Sequence, residues 1–206
     1  MSLVYLEFIS RRPGVSLEQF HAVAGQGQTG WAGDNVEDVL LANLGRSWRT
    51  GPEPEYIAFW LTQAQGLDRF DDWERIFRSG VAEQFEEPFR LAARIDRAGS
   101  YDPLLEPSPV DTERCYLEFF DFAKGAGRDD VRASYEQRAA GHSELKLNVL
   151  LDRIGRLGPD PRGIAVWGLP AWAALEEIAR DFDAAEDGPV RLVDAGMYSE
   201  FGKETL

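Results

Sequence analysis

The sequence predicts an α+β protein built from two βαββαβ units in tandem. Three observations support this fold class. A strand-like tetrapeptide occurs twice, as Tyr5-Leu6-Glu7-Phe8 and as Tyr116-Leu117-Glu118-Phe119. The elements that follow each copy have the same order, and a proline-rich stretch separates the two series. Agreement at so many ordered positions indicates an internal duplication.

Composition narrows the class of protein. The chain has 206 residues, 44% of them hydrophobic, and a formal net charge of −14. It is therefore long and apolar enough to bury a core, and its acidity disfavours binding to nucleic acid. The apolar run from Leu3 to Ile9 is short and contains Glu7, so neither a signal peptide nor a membrane span is expected. Cys115 is the only cysteine, which excludes an intramolecular disulfide and favours a cytoplasmic location.

The first unit is expected to span residues 1–103. Apolar periodicity predicts its strands at 3–10, 39–48, 56–61 and 91–101, and its helices from 17, at 66–79 and at 81–89. Ser16 is a plausible N-cap of the first helix, and Gln19 completes a capping box. The last helix is expected to stop near Pro88, because proline lacks the amide hydrogen that a helix interior requires.

A connector is predicted at residues 104–112. It contains Pro107 and Pro109, follows Pro103, and shows no core periodicity. Such a stretch is typical of a stiff link between two units.

The second unit, residues 113–206, repeats the order of the first. Its strands are predicted at 114–122, 147–157, 163–167 and 191–198, and its helices at 128–140 and 172–182. Matching segments include Val39-Leu40-Leu41 with Gly45-Arg46 against Val149-Leu150-Leu151 with Gly155-Arg156, Gly51-Pro52-Glu53-Pro54 against Gly158-Pro159-Asp160-Pro161, and Ala98-Gly99-Ser100-Tyr101 against Ala195-Gly196-Met197-Tyr198. Positions where the copies differ are candidates for specialised function: Asn43 against Arg153, Ala42 against Asp152, and Ser100 against Met197.

Each βαββαβ unit is ferredoxin-like, with a four-stranded antiparallel sheet that carries two helices on one face. The other face is bare and needs a partner. The tandem resembles the dimeric α+β barrel superfamily in its fused two-repeat form. The resemblance implies that the two sheets pack face to face as a pseudo-dimeric barrel around a cavity. Members include cofactor-independent oxygenases, isomerases of ring lactones, EthD-like and stress-responsive proteins, and haem enzymes, so the resemblance selects no single chemistry.

Strand parity predicts which side chains line that cavity. The apolar pairs Leu6 with Phe8 and Leu117 with Phe119 are expected to face the helices. The opposite faces are then expected to line the barrel: Tyr5, Glu7, Ala58 and Trp60, with Tyr116, Glu118, Ala165 and Trp167. Tyr101 and Tyr198 are expected at the barrel ends. The predicted interior is an aromatic box with two carboxylates.

Glu7 and Glu118 are the candidate catalytic residues. Burial raises the pKa of a carboxylate toward that of a useful general base. The alternative is a structural ion pair or hydrogen bond, with Arg46 and Arg156 or with a tyrosine. The candidate ligand-binding residues are Tyr5, Tyr116, Trp60, Trp167, Tyr101 and Tyr198, and their alternative role is to form the barrel core.

Three functions follow. The first is a small-molecule-binding protein. If it is an enzyme, it would be a cofactor-independent oxygenase or isomerase that acts on an aromatic or enolisable ligand. The second is a non-catalytic protein with a filled barrel that acts through its surface. The third is haem binding, for which His142 is a better axial ligand than His21.

No cofactor other than haem is implied, and the spacing of His21, His142 and Cys115 predicts no metal site. Gly25 to Gly30 matches a dinucleotide-binding fingerprint, but it follows a helical pattern rather than a strand, so we reject it. Neither nucleic acid nor a membrane is expected as a partner, and the chain is compatible with a monomer or a homodimer.

Overall fold

The structure is a computed structural model that describes residues 2–24, 38–48, 50–62, 68–80, 83–176, 178 and 188–201. Its eight strands are β1 (Leu3–Arg11), β2 (Asp38–Arg46), β3 (Tyr56–Thr62), β4 (Ala93–Pro103), β5 (Arg114–Phe122), β6 (Lys146–Arg153), β7 (Gly163–Leu169) and β8 (Val190–Glu200). The helices are α1 (17–24), α2 (Asp68–Arg78), α3 (Glu83–Ala92) and α4 (Arg128–Gly141), and a 3₁₀ turn covers Trp172–Ala174. No helix within these ranges is long and apolar enough to span a membrane. The glycine-rich segment 25–30 lies outside the described residues, and so do residues 177 and 179–182 of the helix predicted at 172–182.

The eight strands form one closed antiparallel barrel in the order β1-β3-β2-β8-β5-β7-β6-β4. Each half of the chain contributes four strands, as the sequence predicted. The two sheets join at two short seams. At one seam Leu44–Arg46 of β2 pairs with Tyr198–Glu200 of β8, and at the other Tyr101–Pro103 of β4 pairs with Leu151–Arg153 of β6. The predicted α+β barrel is therefore confirmed.

Strand registers in the two halves correspond residue by residue. Glu7 lies opposite Ala58 as Glu118 lies opposite Ala165, and the register shifts at Leu40/Ala42 and at Leu147/Val149 are equivalent. This register equates Arg46 with Arg153, and it corrects the match of Arg46 with Arg156. The pairs Asn43 with Arg153 and Ala42 with Asp152 were wrong for the same reason. Both strands are rich in aliphatic residues, so identical letters aligned them three residues out of register.

The barrel interior is filled by apolar side chains from both halves. One buried cluster contains Leu6 and Phe8 together with Leu117 and Phe119. Trp60 instead belongs to a cluster with Phe20 of α1, and Trp167 to a cluster with Val131 and Tyr135 of α4. The predicted parity was therefore inverted. Leu6, Phe8 and their counterparts face the barrel, whereas Tyr5, Glu7, Trp60 and their counterparts face the helices.

The connector contributes to the core. Val110 is buried in the cluster that fills the barrel, and its amide donates to the carbonyl of Leu41 in β2 at 2.8 Å. The amide of Ser108 donates to the carbonyl of Asn148 in β6 at 2.9 Å. The connector thus contacts strands of both halves, and one of its residues is part of the core. A single apolar residue among prolines shows no periodicity.

The repeated turns explain why two motifs recur together. The turn at Gly51 packs against Gly196, and the turn at Gly158 packs against Gly99. The amide of Ser100 donates to the carbonyl of Leu157 at 2.7 Å, and the amide of Met197 donates to Oγ1 of Thr50 at 2.7 Å. Each Gly-Pro-Glu-Pro or Gly-Pro-Asp-Pro turn therefore docks on the Ala-Gly-x-Tyr segment of the other half.

Two local predictions have different outcomes. At α1, the amide of Gln19 donates to Oγ of Ser16 at 3.1 Å, and the amide of Ser16 donates to Oε1 of Gln19 at 2.9 Å, so the capping box is confirmed. Pro88, in contrast, lies inside α3 rather than at its end. Phe89 packs against the helix-side core and Ala92 is buried. This burial favours continuation of the helix past one missing hydrogen bond.

Candidate functional site

In the second half, the buried carboxylate of Glu118 is paired with an arginine. Glu118 is 0% exposed, and both of its oxygens accept from the Arg138 guanidinium, at 3.1 and 2.9 Å. The guanidinium also lies 5.2 Å from the ring centre of Tyr135 and 5.1 Å from that of Trp167. A bidentate pair of this kind fixes both side chains. Burial raises the pKa of Glu118, and the ion pair with Arg138 opposes that rise.

Arg138 was not among the predicted residues, which named Arg156 as the partner. A signal was nevertheless available in α4. Val131, Tyr135 and Arg138 are spaced by four and three residues, so they share one face of the helix. Val131 and Tyr135 are buried. An arginine that continues a buried stripe needs a carboxylate partner, and Glu118 is the one that the fold provides.

In the first half, the equivalent carboxylate has a different environment. Glu7 lies between Ala58 of β3 and Ala98 of β4, and its Oε2 accepts from Nε1 of Trp60 at 3.2 Å. Burial raises the pKa of Glu7 to about 7, although the Trp60 hydrogen bond opposes the rise. None of the described residues forms an ion pair with Glu7. The carboxyl group is therefore poised to exchange a proton near neutral pH.

The sequence explains part of this difference. Arg138 lies 20 residues after Glu118, and the residue at the same spacing after Glu7 is Gly27. Tyr135 corresponds in the same way to Ala24, which is buried in α1. Arg138 and Tyr135 give Glu118 a cation and a phenol as neighbours. At the corresponding sequence positions the first half has glycine and alanine, the two smallest residues.

An aromatic groove of 470 Å³ adjoins Tyr5, and its described lining is Tyr5, Phe70, Trp73, Glu74 and Arg78. The ring of Tyr5 meets the edges of Trp73 and Phe70 at centroid distances of 4.9 and 5.8 Å. Nε1 of Trp73 donates to Asp38 at 3.2 Å, which fixes that indole. Burial, and secondarily the charge of Glu7, raise the pKa of Tyr5, so its hydroxyl stays protonated at neutral pH. The described lining of the groove therefore offers planar aromatic walls and the Tyr5 hydroxyl as a hydrogen-bond donor, and Glu7 follows Tyr5 on the same face of β1.

The predicted site residues therefore fall into three groups. Tyr5, Glu7 and Trp60 come together on the helix side of the first half. Tyr116, Glu118 and Trp167 come together on the helix side of the second half. Tyr101 and Tyr198 lie with neither group, since both are buried in the barrel core beside the turns of the opposite half. The expectation that the two carboxylates face each other across a cavity was wrong.

Several solved structures have the same fold as this chain. A haem-binding protein from Thermus thermophilus has a TM-score of 0.62 at 10% identity, over 97% of this chain and 90% of the other. The chain has the dimeric α+β barrel fold. A chlorite dismutase mutant from Candidatus Nitrospira defluvii has a TM-score of 0.59 at 8% identity, over 97% and 92% of the two chains. A candidate monooxygenase from Lactobacillus acidophilus NCFM has a TM-score of 0.60 at 8% identity, over 97% and 92%.

These likenesses show the fold alone. No protein-family model matches the chain, and no curated protein sequence matches it. The comparison therefore establishes the fold, and a function has to be inferred from the side chains of this chain.

One of these neighbours is a haem-binding protein, and the surroundings of the two histidines show whether the described residues fit haem. His142 caps the end of α4, where its amide donates to the carbonyl of Ala139 at 3.2 Å. The ring of His21 stacks on Phe201 at 4.8 Å. Between the sheet and α4, Tyr135, Trp167 and Phe120 pack against one another. The described residues thus place no histidine beside an open pocket in the second half, and they do not fit haem there.

Proposed function

We propose that the protein binds a small organic molecule on the helix side of its first half, and that Glu7 is the acid–base group of this site. One observation carries the proposal. Two carboxylates occupy equivalent places in the sheet, and among the described residues only Glu118 has a cationic partner. Glu7 is partly buried, and a carboxyl that is shielded from water without such a partner costs stability, which is typical of a functional group.

The chemistry that suits this site is removal of a proton from an aromatic or enolisable ligand. The Trp60 hydrogen bond orients Oε2 of Glu7, which leaves Oε1 for the ligand. The O–H or C–H bond of the ligand breaks, the proton moves to Glu7, and the electron pair stays on the ligand as a phenolate or enolate. The protonated hydroxyl of Tyr5 would then donate to the developing oxyanion.

Three features favour a planar ligand. Ala58 and Ala98 flank Glu7 with the smallest side chains that carry a Cβ. Tyr5, Phe70 and Trp73 offer aromatic edges and faces at a groove of 470 Å³, which is within the size range of small-molecule sites. Isomerases and cofactor-independent oxygenases of such ligands share a deprotonation as their first step, so we infer a reaction of this class.

Glu118 is then a structural residue. Its bidentate pair with Arg138 fastens α4 to β5, and it leaves neither carboxylate oxygen free of the guanidinium. The six aromatic residues predicted to bind ligand divide accordingly. Tyr5 and Trp60 belong to the proposed site, whereas Tyr116, Trp167, Tyr101 and Tyr198 contribute to buried packing.

A matched pair of variants, Glu7→Gln and Glu118→Gln, tests the proposal. The probe is 2-tetralone, an enolisable aromatic ketone, and NMR follows the exchange of its acidic protons for deuterium in D₂O. We expect protein-catalysed exchange that falls at least about a hundredfold in Glu7→Gln, because general-base groups contribute on this scale. Glu118→Gln should keep the exchange at temperatures below its own thermal midpoint.

Equal exchange by Glu7→Gln and the unmodified protein would contradict the assignment of the base. Titration with haemin gives the independent measurement. A stoichiometric Soret band that is insensitive to Glu7→Gln would favour the function of the haem-binding neighbour over the one proposed.

A further inference from the structure

A tryptophan occupies a backbone position that suits glycine. Trp48 follows β2 with φ 56°, and the residue is 78% exposed. The register that equates Arg46 with Arg153 equates Trp48 with Gly155, whose φ is also 56°. Glycine adopts this left-handed conformation without steric cost, and tryptophan does not. Since the same turn forms with glycine in the second half, the indole is not required for the turn.

Trp48 forms one wall of an open groove of 630 Å³ at the β2–β8 seam. Trp172 is the second aromatic side chain of the lining. Among the described residues of the lining, the charged ones are three carboxylates and one cation: Asp111, Glu113, Glu200 and Arg114. The hydroxyls of Ser47 and Ser199 meet at 2.7 Å across the seam and form part of the same lining. Two indoles and an excess of negative charge thus face one opening.

The groove at the other seam has a different composition. It measures 460 Å³ and includes Asp102 and Pro103, which correspond to Ser199 and Glu200. The residues described in its lining include no aromatic side chain, and the two arginines among them, Arg128 and Arg132, balance the two carboxylates. Of the two seam grooves, the one at Trp48 is therefore the aromatic and acidic one in its described lining.

We propose that the Trp48 groove binds a small organic cation, an amine or quaternary ammonium compound. A cation over the face of an indole is attracted by the ring, and tryptophan is the best of the aromatic residues for this contact. The side chain of Glu113 is 79% exposed and interacts with Arg114 at 3.8 Å. Asp111 interacts with Lys146 at 3.1 Å, and this pair is also exposed. Exposed pairs of this kind are weak, so a ligand cation can compete with them.

The net charge of −14 adds a longer-range attraction for cations. Glu200 lies deeper, where its Oε1 accepts from the amide of Asn43 at 3.4 Å. This site does not include Glu7, and it stands whether or not the first half carries out acid–base chemistry.

The test uses choline as the cation and 3,3-dimethylbutan-1-ol as its neutral isostere. Binding is followed by the indole N–H signals in two-dimensional NMR and by calorimetry at low salt. We expect choline to shift the Trp48 signal and to bind at least tenfold more tightly than the alcohol. Trp48→Gly should weaken choline binding about tenfold or more without lowering the thermal midpoint, because Gly155 already forms the same turn.

Two further variants complete the design. Trp48→Phe should retain most of the affinity, and it separates loss of the ring from any change in the turn. Asp102→Asn, at the other seam, should leave choline binding unchanged. Equal binding of choline and the alcohol, unchanged affinity in Trp48→Gly, or no shift of the Trp48 signal with choline would each overturn the proposal.

Discussion

Glu7 and Glu118 are the same residue at the same place in a sheet, and their neighbours give them different properties. Glu118 is stabilised in its charged form by Arg138. Glu7 has one hydrogen bond, from Trp60, against the full effect of its burial. The tetrapeptide around the glutamate is identical in both copies, so it does not reveal the difference. It arises from α4, whose residues approach the sheet only after folding.

The pH dependence of the free energy of unfolding should reveal the raised pKa of Glu7. Its pKa rises from 4.5 to about 7 on folding, so the folded state binds the proton more tightly. This contribution is fully present below pH 4.5 and is lost as pH rises through 7. Glu7→Gln removes it, so the variant should gain about 2–3 kcal/mol over the unmodified protein between pH 4.5 and pH 8.

Urea unfolding at both pH values measures this difference, and subtraction of the two proteins cancels the other titrating groups. Parallel pH profiles would show that Glu7 has an ordinary pKa in the folded protein.

At the scale of elements, short sequence motifs correctly predicted the features that depend on neighbouring residues. The capping box of Ser16 and Gln19 depends on four consecutive residues, and it formed as expected. The order of the elements along the chain and the two-unit architecture followed from repeated motifs. The orientation of the strands did not, because both faces of each sheet are buried. One face meets helices and the other meets the second sheet, so alternation alone cannot assign them.

The face that each strand turns toward the barrel has a physical reason. The closed barrel encloses the purely apolar face of these strands, with Leu6, Phe8, Leu117 and Phe119 buried in one cluster. The helix side accommodates tyrosine, glutamate and tryptophan, since helices can supply a partner such as Arg138 or an opening such as the groove at Tyr5. The polar face of a strand in this fold is thus better assigned to the helix layer.

Docking of each turn on the other half can be tested with glycines. A Cβ on Gly99 would lie 2.8 Å from the Cα of Gly158, and one on Gly196 would lie 2.7 Å from the Cα of Gly51. Backbone atoms cannot yield as a side chain can, so Gly99→Ala and Gly196→Ala should each reduce the free energy of unfolding by about 2 kcal/mol or more.

The control is Gly141→Ala at the end of α4, where a Cβ meets nothing within 4 Å. This change should be neutral or slightly stabilising. Chemical denaturation compares the three variants. If only one of Gly99→Ala and Gly196→Ala lowered the free energy of unfolding, the two turns would not dock equivalently on the opposite halves.

At the scale of the whole molecule, the two halves depend on one shared core. The strand pairing between them is limited to three residue pairs at each seam. Most of their association therefore comes from the apolar faces enclosed in the barrel, with Val110 of the connector among them. A half that folded alone would expose such a face to water.

The second half, residues 107–206, should accordingly form a homodimer rather than a folded monomer. It carries both docking motifs, the turn at Gly158 and the segment around Gly196, so two copies can reproduce the contacts that the full chain makes at both seams. Light scattering after size-exclusion chromatography gives the mass, and Gly196→Ala in the fragment should shift it toward monomer or aggregate. If the fragment does not fold alone, co-expression with residues 2–106 should yield a soluble one-to-one complex. A monomeric fragment with a cooperative thermal transition would contradict the shared core, because its barrel-facing side would then be stable without a partner.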